Sequence, residues 1–108
     1  MFFRSELTIE SFNEISMDDF KELIAPHTNI LLVFANTYLL DIKPNYYYYH
    51  RDEFDESRGI DVPAVSFELS RNLKQQSLID RYSAFLVAYT ALIKSVKLPL
   101  SVRLEFST

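Results

Sequence analysis

The sequence predicts an α+β fold in a single domain spanning residues 1–108: an antiparallel or mixed sheet of about four to five strands, a long helix from the C-terminal half packed on one face, and a short N-terminal helix. Three observations predict it. Apolar and polar residues alternate near both ends of the chain. A helical period of about twenty residues lies between two strand-like segments. A chain of 108 residues, 48% hydrophobic, is long enough for one core and too short for two.

Taken in order, Phe3, Leu7 and Ile9 set against Arg4, Glu6 and Glu10 predict a first strand over residues 2–10. Ser16-Met17-Asp18-Asp19 reads as a helix start, because a serine hydroxyl can accept from free backbone amides and the two aspartates suit the positive end of the helix dipole. Met17, Phe20, Leu23 and Ile24 give about two turns, and Pro26 predicts the stop. Residues 30–42 fit both templates; the β-branched Ile30, Val33, Thr37 and Ile42 with the aromatics Phe34 and Tyr38 tilt the reading to strand.

Lys43-Pro44-Asn45 predicts a turn, residues 46–50 an edge strand, and residues 52–62 a surface loop with Gly59 as its tight point and Pro63 as its end. Val65, Phe67 and Leu69 alternate as a half-buried strand. A helix is predicted over residues 78–97, opened by Ser77 and Asp80 as a variant capping box and followed by Pro99. Its expected apolar stripe is Leu78, Tyr82, Phe85, Tyr89, Leu92 and Val96. Beside it runs a row of small groups, Ala84, Ala88 and Ala91. Leu100, Val102, Leu104 and Phe106 predict a last strand.

Composition excludes several function classes. The absence of cysteine removes disulfides, thiol chemistry and thiolate metal sites, and no basic-then-apolar leader is visible; together these suit a cytoplasmic protein. A single glycine, Gly59, rules out the glycine-rich phosphate loops. The uncharged stretch of the long helix, Tyr82 to Ile93, is too short for a membrane span. The net charge of −4 is uneven: residues 1–54 hold nine acids and four bases, residues 55–108 six acids and seven bases. No basic cluster offers a path for a phosphate backbone, which argues against nucleic acid as a partner.

One segment exceeds what a core or a loop requires. Residues 46–56 read Tyr46-Tyr47-Tyr48-Tyr49-His50-Arg51-Asp52-Glu53-Phe54-Asp55-Glu56. Tyrosine supplies a large apolar ring with a polar tip at low entropy cost, and acids beside it select a basic partner. Tyr46, Tyr47, Tyr48, Tyr49, Asp52, Glu53, Phe54, Asp55 and Glu56 are therefore the expected contacts of a protein-binding module of inhibitor, counter-defence or adaptor type, directed at a basic protein surface. The ordinary alternative is a strand edge with two rings packed inward and two exposed, followed by a solvated loop.

Other chemistry is weakly signalled. His50 with Asp52, Glu53 and Asp55 matches no calcium-loop spacing, so neither metal nor cofactor is expected. His27 and His50 lie in no nucleophile-elbow context, and Asp18 and Asp19 are accounted for by the helix dipole. No catalytic residues are assigned. Two competing readings stand: a small ligand-binding domain or enzyme with a pocket between sheet and long helix, and a structural homodimer formed through Ala84, Ala88 and Ala91 or through an edge strand.

Overall fold

The computed structural model describes residues 2–51 and 59–107. Six elements follow in order: β1 (Phe2–Ser11), α1 (Met17–Thr37), β2 (Pro44–Arg51), β3 (Ile60–Asn72), α2 (Gln76–Ser95) and β4 (Leu100–Ser107). The four strands form one sheet in the order β2-β3-β1-β4, with every neighbouring pair antiparallel. The sheet is thus antiparallel rather than mixed. The βαββαβ order with β3 inserted between β1 and β2 is the split βαβ connectivity of ferredoxin-like sheets. That topology carries no function by itself.

The register explains which side chains meet. Leu104, Leu7, Phe67 and Pro44 form one row across the sheet, and Val102, Ile9, Val65 and Tyr46 the next. The first three members of each row point to the helices: Leu7, Phe67, Val102, Ile9 and Val65 join Phe20, Ile24, Leu31 and Ala35 of α1 and Ile79, Tyr82, Leu86, Tyr89 and Ile93 of α2 in a single hydrophobic cluster, and the partly buried Leu104 packs against it. The intervening rows, Arg103-Thr8-Ser66-Asn45 and Ser101-Glu10-Ala64-Tyr47, lie on the opposite, helix-free face. Both helices therefore cover the same side of the sheet.

Three expectations for the first half need correction. The first helix does not stop at Pro26: it runs from Met17 to Thr37, so residues 30–37 are helix rather than strand. A proline inside a helix costs about 3 kcal/mol, through one lost hydrogen bond and a ring clash. Phe20, Ile24 and Leu31 are each completely buried from this helix, and burial of side chains of that size stabilises by about 1.5–3 kcal/mol apiece. The packing term exceeds the proline term. With Thr28 and Ala35, the buried positions fall at spacings of 4, 4, 3 and 4, one face of a helix. The expected start is correct, because the Ser16 side chain accepts from the Asp19 amide at 3.1 Å.

In place of the predicted turn at Lys43-Pro44-Asn45 and the predicted loop end at Pro63, Pro44, Asn45 and Pro63 are all strand, with Lys43 just before it. Pro44 opens β2, and Pro63 lies inside β3. β3 is long because its partners are staggered: β2 pairs with residues 60–67 and β1 with residues 64–72. Pro63 lies just past the β1 ladder, so its missing N–H leaves no gap on that side.

The second helix begins at Gln76 and ends at Ser95, and the capping box is absent: Gln75 is the cap residue without a side-chain cap bond, while Asp80 accepts from Gln76 Nε2 at 2.9 Å. Its buried stripe is Ile79, Tyr82, Leu86, Tyr89, Thr90 and Ile93, rotated from the predicted one. Phe85 turns toward α1 instead and stacks on Phe34, and Leu92 is 48% exposed. Tyr89 Oη crosses to donate to the backbone carbonyl of His27 at 2.5 Å, so His27 lies within α1 and not at a helix end.

Candidate functional site at the β2 edge

β2 is an outer strand of the sheet, so the backbone groups on its far side face away from the ladder. Sequence alternation divides its four tyrosines between two faces. Tyr46 and Tyr48 lie on the helix side, opposite Val65 and Pro63; Tyr47 and Tyr49 lie on the helix-free side, opposite Ala64 and Val62.

The helix-side pair is tied into the fold. Tyr46 packs against the hydrophobic cluster, with the Lys21 ammonium 4.6 Å from its ring centroid. Tyr48 Oη accepts from the Met17 amide at 3.1 Å, so it serves one of the open amides at the start of α1. Even so, the Tyr48 side chain remains 55% exposed. On the opposite face Tyr49 is 45% exposed. Tyr47 is half-buried; burial raises its phenol pKa, and the negative charge of Glu10 and Glu6 raises it further, with Arg103 and the Thr8 hydroxyl acting the other way. Val62 and Ala64 beneath these rings are completely buried although neither α1 nor α2 covers this face.

The helix-free face is acidic beside the tyrosines. Glu6, Glu10, Glu68 and Glu105 lie there with Arg4 and Arg103. Arg4 reaches Glu6 at 3.5 Å and Glu68 at 3.7 Å, and Arg103 reaches Glu105 at 3.8 Å. At the far end of β2 the Arg51 guanidinium donates to the Ser11 and Phe12 carbonyls at 3.1 and 2.8 Å, which fastens the strand to the β1–α1 connection. His50 Nδ1 lies 2.8 Å from Asp61 Oδ1 across the β2–β3 ladder, a pair that residue spacing does not reveal and the register does. Gly59 sits against the His50 ring, where a Cβ would fall 2.2 Å from Nε2. That contact is what the single glycine accommodates.

Of the predicted contacts, the structure brings Tyr46, Tyr47, Tyr48 and Tyr49 together on one strand. Asp52, Glu53, Phe54, Asp55 and Glu56 lie outside the described residues. Ala84, Ala88 and Ala91 are all exposed on the outer side of α2, so their packing onto the sheet is ruled out. Val87 and Leu92, 56% and 48% exposed, flank them; Val87 was not singled out from sequence, and Leu92 was expected in the buried stripe. The space between sheet and α2 is filled by Phe3, Tyr82 and Leu86, each at most 1% exposed. A shallow cavity of about 100 Å³ lies instead near the chain end, lined by Arg4, Glu6, Glu105, Phe106 and Ser107. Among the described residues, no three of His, Asp or Glu gather as a metal site would require, and no helix is long and apolar enough to cross a membrane.

Comparison of the chain with protein-family models, with curated proteins and with solved structures gives no match to any of them.

Proposed function

We propose that this protein is a non-enzymatic protein-binding module whose contact surface is the tyrosine side chains of β2 together with the acidic stretch that follows them in sequence, and whose partner presents a basic surface. The carrying observation is the exposure of two large aromatic side chains on an outer strand, Tyr48 on the helix side and Tyr49 on the face that carries the acids. Tyrosines of this kind supply the anchors of an interface, while surrounding acids steer a basic partner and set its approach rate. The inhibitor, counter-defence and adaptor variants share this surface and differ only in the partner.

The test is a pull-down from native lysate, followed by an alanine scan of residues 46–56 against the protein recovered. Stoichiometric capture with weakened binding in tyrosine variants that still fold supports the reading. Normal binding by every folded variant contradicts it. The homo-oligomer reading draws separate support from the exposed Ala84, Val87, Ala88, Ala91 and Leu92 on α2. The enzyme reading has none from the core between sheet and helix, where Tyr82 and Leu86 occupy the space.

A further inference from the structure

The two edges of the sheet are built differently. β4 carries Arg103 and Glu105 at its centre, paired with each other at 3.8 Å and both largely exposed. Charged side chains are a standard means of discouraging strand addition. β2 reads Pro-Asn-Tyr-Tyr-Tyr-Tyr-His-Arg, with no acid or lysine in the strand and its one arginine at the last position. Its middle combines high strand preference, exposed rings and no charge. That composition leaves the edge open to another strand.

We infer that β2 is the edge at which two copies of this chain pair, antiparallel across a two-fold axis through Tyr48, to form a continuous eight-stranded sheet. Purified protein alone tests this pairing; it takes the main-chain edge of β2, so the partner of the reading above meets the exposed tyrosine rings and the acids and not that edge. The occupant is argued from self-complementarity. An axis perpendicular to the sheet keeps both pairs of helices on the same side, so residues that face each other must share a face. Side chains alternate along a strand, and the axis must therefore pass through a residue and not between two. Within Pro44–Arg51, axes at Tyr47 and at Tyr48 give the longest overlaps.

An axis at Tyr47 sets Pro44 opposite His50 and brings a residue without an N–H into the new ladder. An axis at Tyr48 leaves Pro44 outside. It sets Asn45 opposite Arg51, Tyr46 opposite His50 and Tyr47 opposite Tyr49. No charged side chain meets its like, and aromatic pairs form twice on the helix-free face, where cross-strand aromatics stabilise a sheet. The main-chain edge is then used by the second copy. The open-face rings of Tyr47 and Tyr49 from both copies lie side by side next to the acids Glu6 and Glu10.

Because the chain has no cysteine, single-cysteine cross-linking reads the register directly. Residues opposite each other in an antiparallel pair have Cα atoms about 4.5–5.5 Å apart, within disulfide reach. Tyr48→Cys is expected to give a disulfide-linked dimer under mild oxidation, while Leu104→Cys on β4 and Ala88→Cys on α2 stay monomeric on a non-reducing gel. Light scattering of the wild type at micromolar concentration should give twice the chain mass of 12.7 kDa. Tyr48→Lys, which places like charges at the axis, should return that mass to the monomer with an unchanged circular dichroism spectrum. A monomeric wild type overturns the inference. So does a dimer that cross-links through Leu104→Cys or Ala88→Cys and not through Tyr48→Cys, or one that survives Tyr48→Lys.

Discussion

Phe34 of α1 and Phe85 of α2 stack nearly parallel, with ring centroids 3.9 Å apart and an interplanar angle of 8°. The stack sits in a longer aromatic line: Tyr38 and Tyr82 flank Phe34, and Tyr89 flanks Phe85. Arg81 closes one end, donating to Tyr38 Oη at 3.0 Å. This line joins the two helices, and it holds α1 in place along its second half, the part that sequence reading assigned to a strand. A double-mutant cycle with Phe34→Leu and Phe85→Leu should show a coupling of about 1 kcal/mol beyond the lost burial. Urea melts of the four proteins measure it. Strict additivity would mean that the rings contribute only area.

The end of α1 carries a residue in an unfavourable backbone conformation. Leu39 has φ 55° and is 84% exposed. The Leu40 amide donates to the Ala35 carbonyl at 2.8 Å and the Leu39 amide to the Asn36 carbonyl at 3.2 Å, the bond pattern of a Schellman helix end. That motif favours glycine at the position of Leu39, because a Cβ in the left-handed region costs about 1–2 kcal/mol. Leu39→Gly should therefore stabilise the fold by about 0.5–1 kcal/mol after the added freedom of the unfolded chain is discounted. A lower midpoint in thermal or chemical denaturation would show that Leu39 makes a contribution of its own.

Stability should fall in alkali through the buried tyrosines. Burial pushes the Tyr82 phenol up to about 12, with the Ser5 hydroxyl offsetting part of the shift, and burial raises Tyr89 as well. Ser5 Oγ and Tyr82 Oη are nonetheless both buried without a well-formed hydrogen bond. An unfolded tyrosine titrates near 10. Above that pH the unfolded chain loses protons that the folded chain keeps, so unfolding becomes favoured. The contribution is complete below about pH 10 and is lost as pH rises to about 12, on the order of 2–3 kcal/mol for Tyr82. Tyr82→Phe should flatten this decline and leave stability at pH 7 equal or slightly higher, since the hydroxyl it removes is unsatisfied. Melts at pH 7 and pH 11 make the comparison. A marked loss at pH 7 would mean that the hydroxyl is bonded after all.

The strands at the chain ends were readable because the period of two survives in Phe3-Leu7-Ile9, interrupted only by Ser5, and in Leu100-Val102-Leu104. The helix start at Ser16 was readable because capping is local. Residues 30–37 were not, since Ile30 and Val33 face solvent while Leu31 and Ala35 face the core, and Pro26 gives a local stop signal that packing overrides. The rotated stripe on α2 follows from the same miss: without the second half of α1, nothing in the sequence says that Phe85 belongs to a helix–helix contact and Leu86 to the sheet. At the candidate site, alternation made the division of Tyr46 to Tyr49 legible. The His50–Asp61 pair and the acidic helix-free face needed the register.

The most direct test of the binding reading is the affinity of Tyr48→Ala and Tyr49→Ala for the protein recovered from lysate, measured by calorimetry beside thermal melts of each variant. Interface energy concentrates in a few aromatic anchors, so at least one of the two should lose about 2 kcal/mol or more, roughly 30-fold in affinity, while still melting as a folded domain. Wild-type affinity in both folded variants would contradict the account and leave the β2 tyrosines as parts of the fold alone.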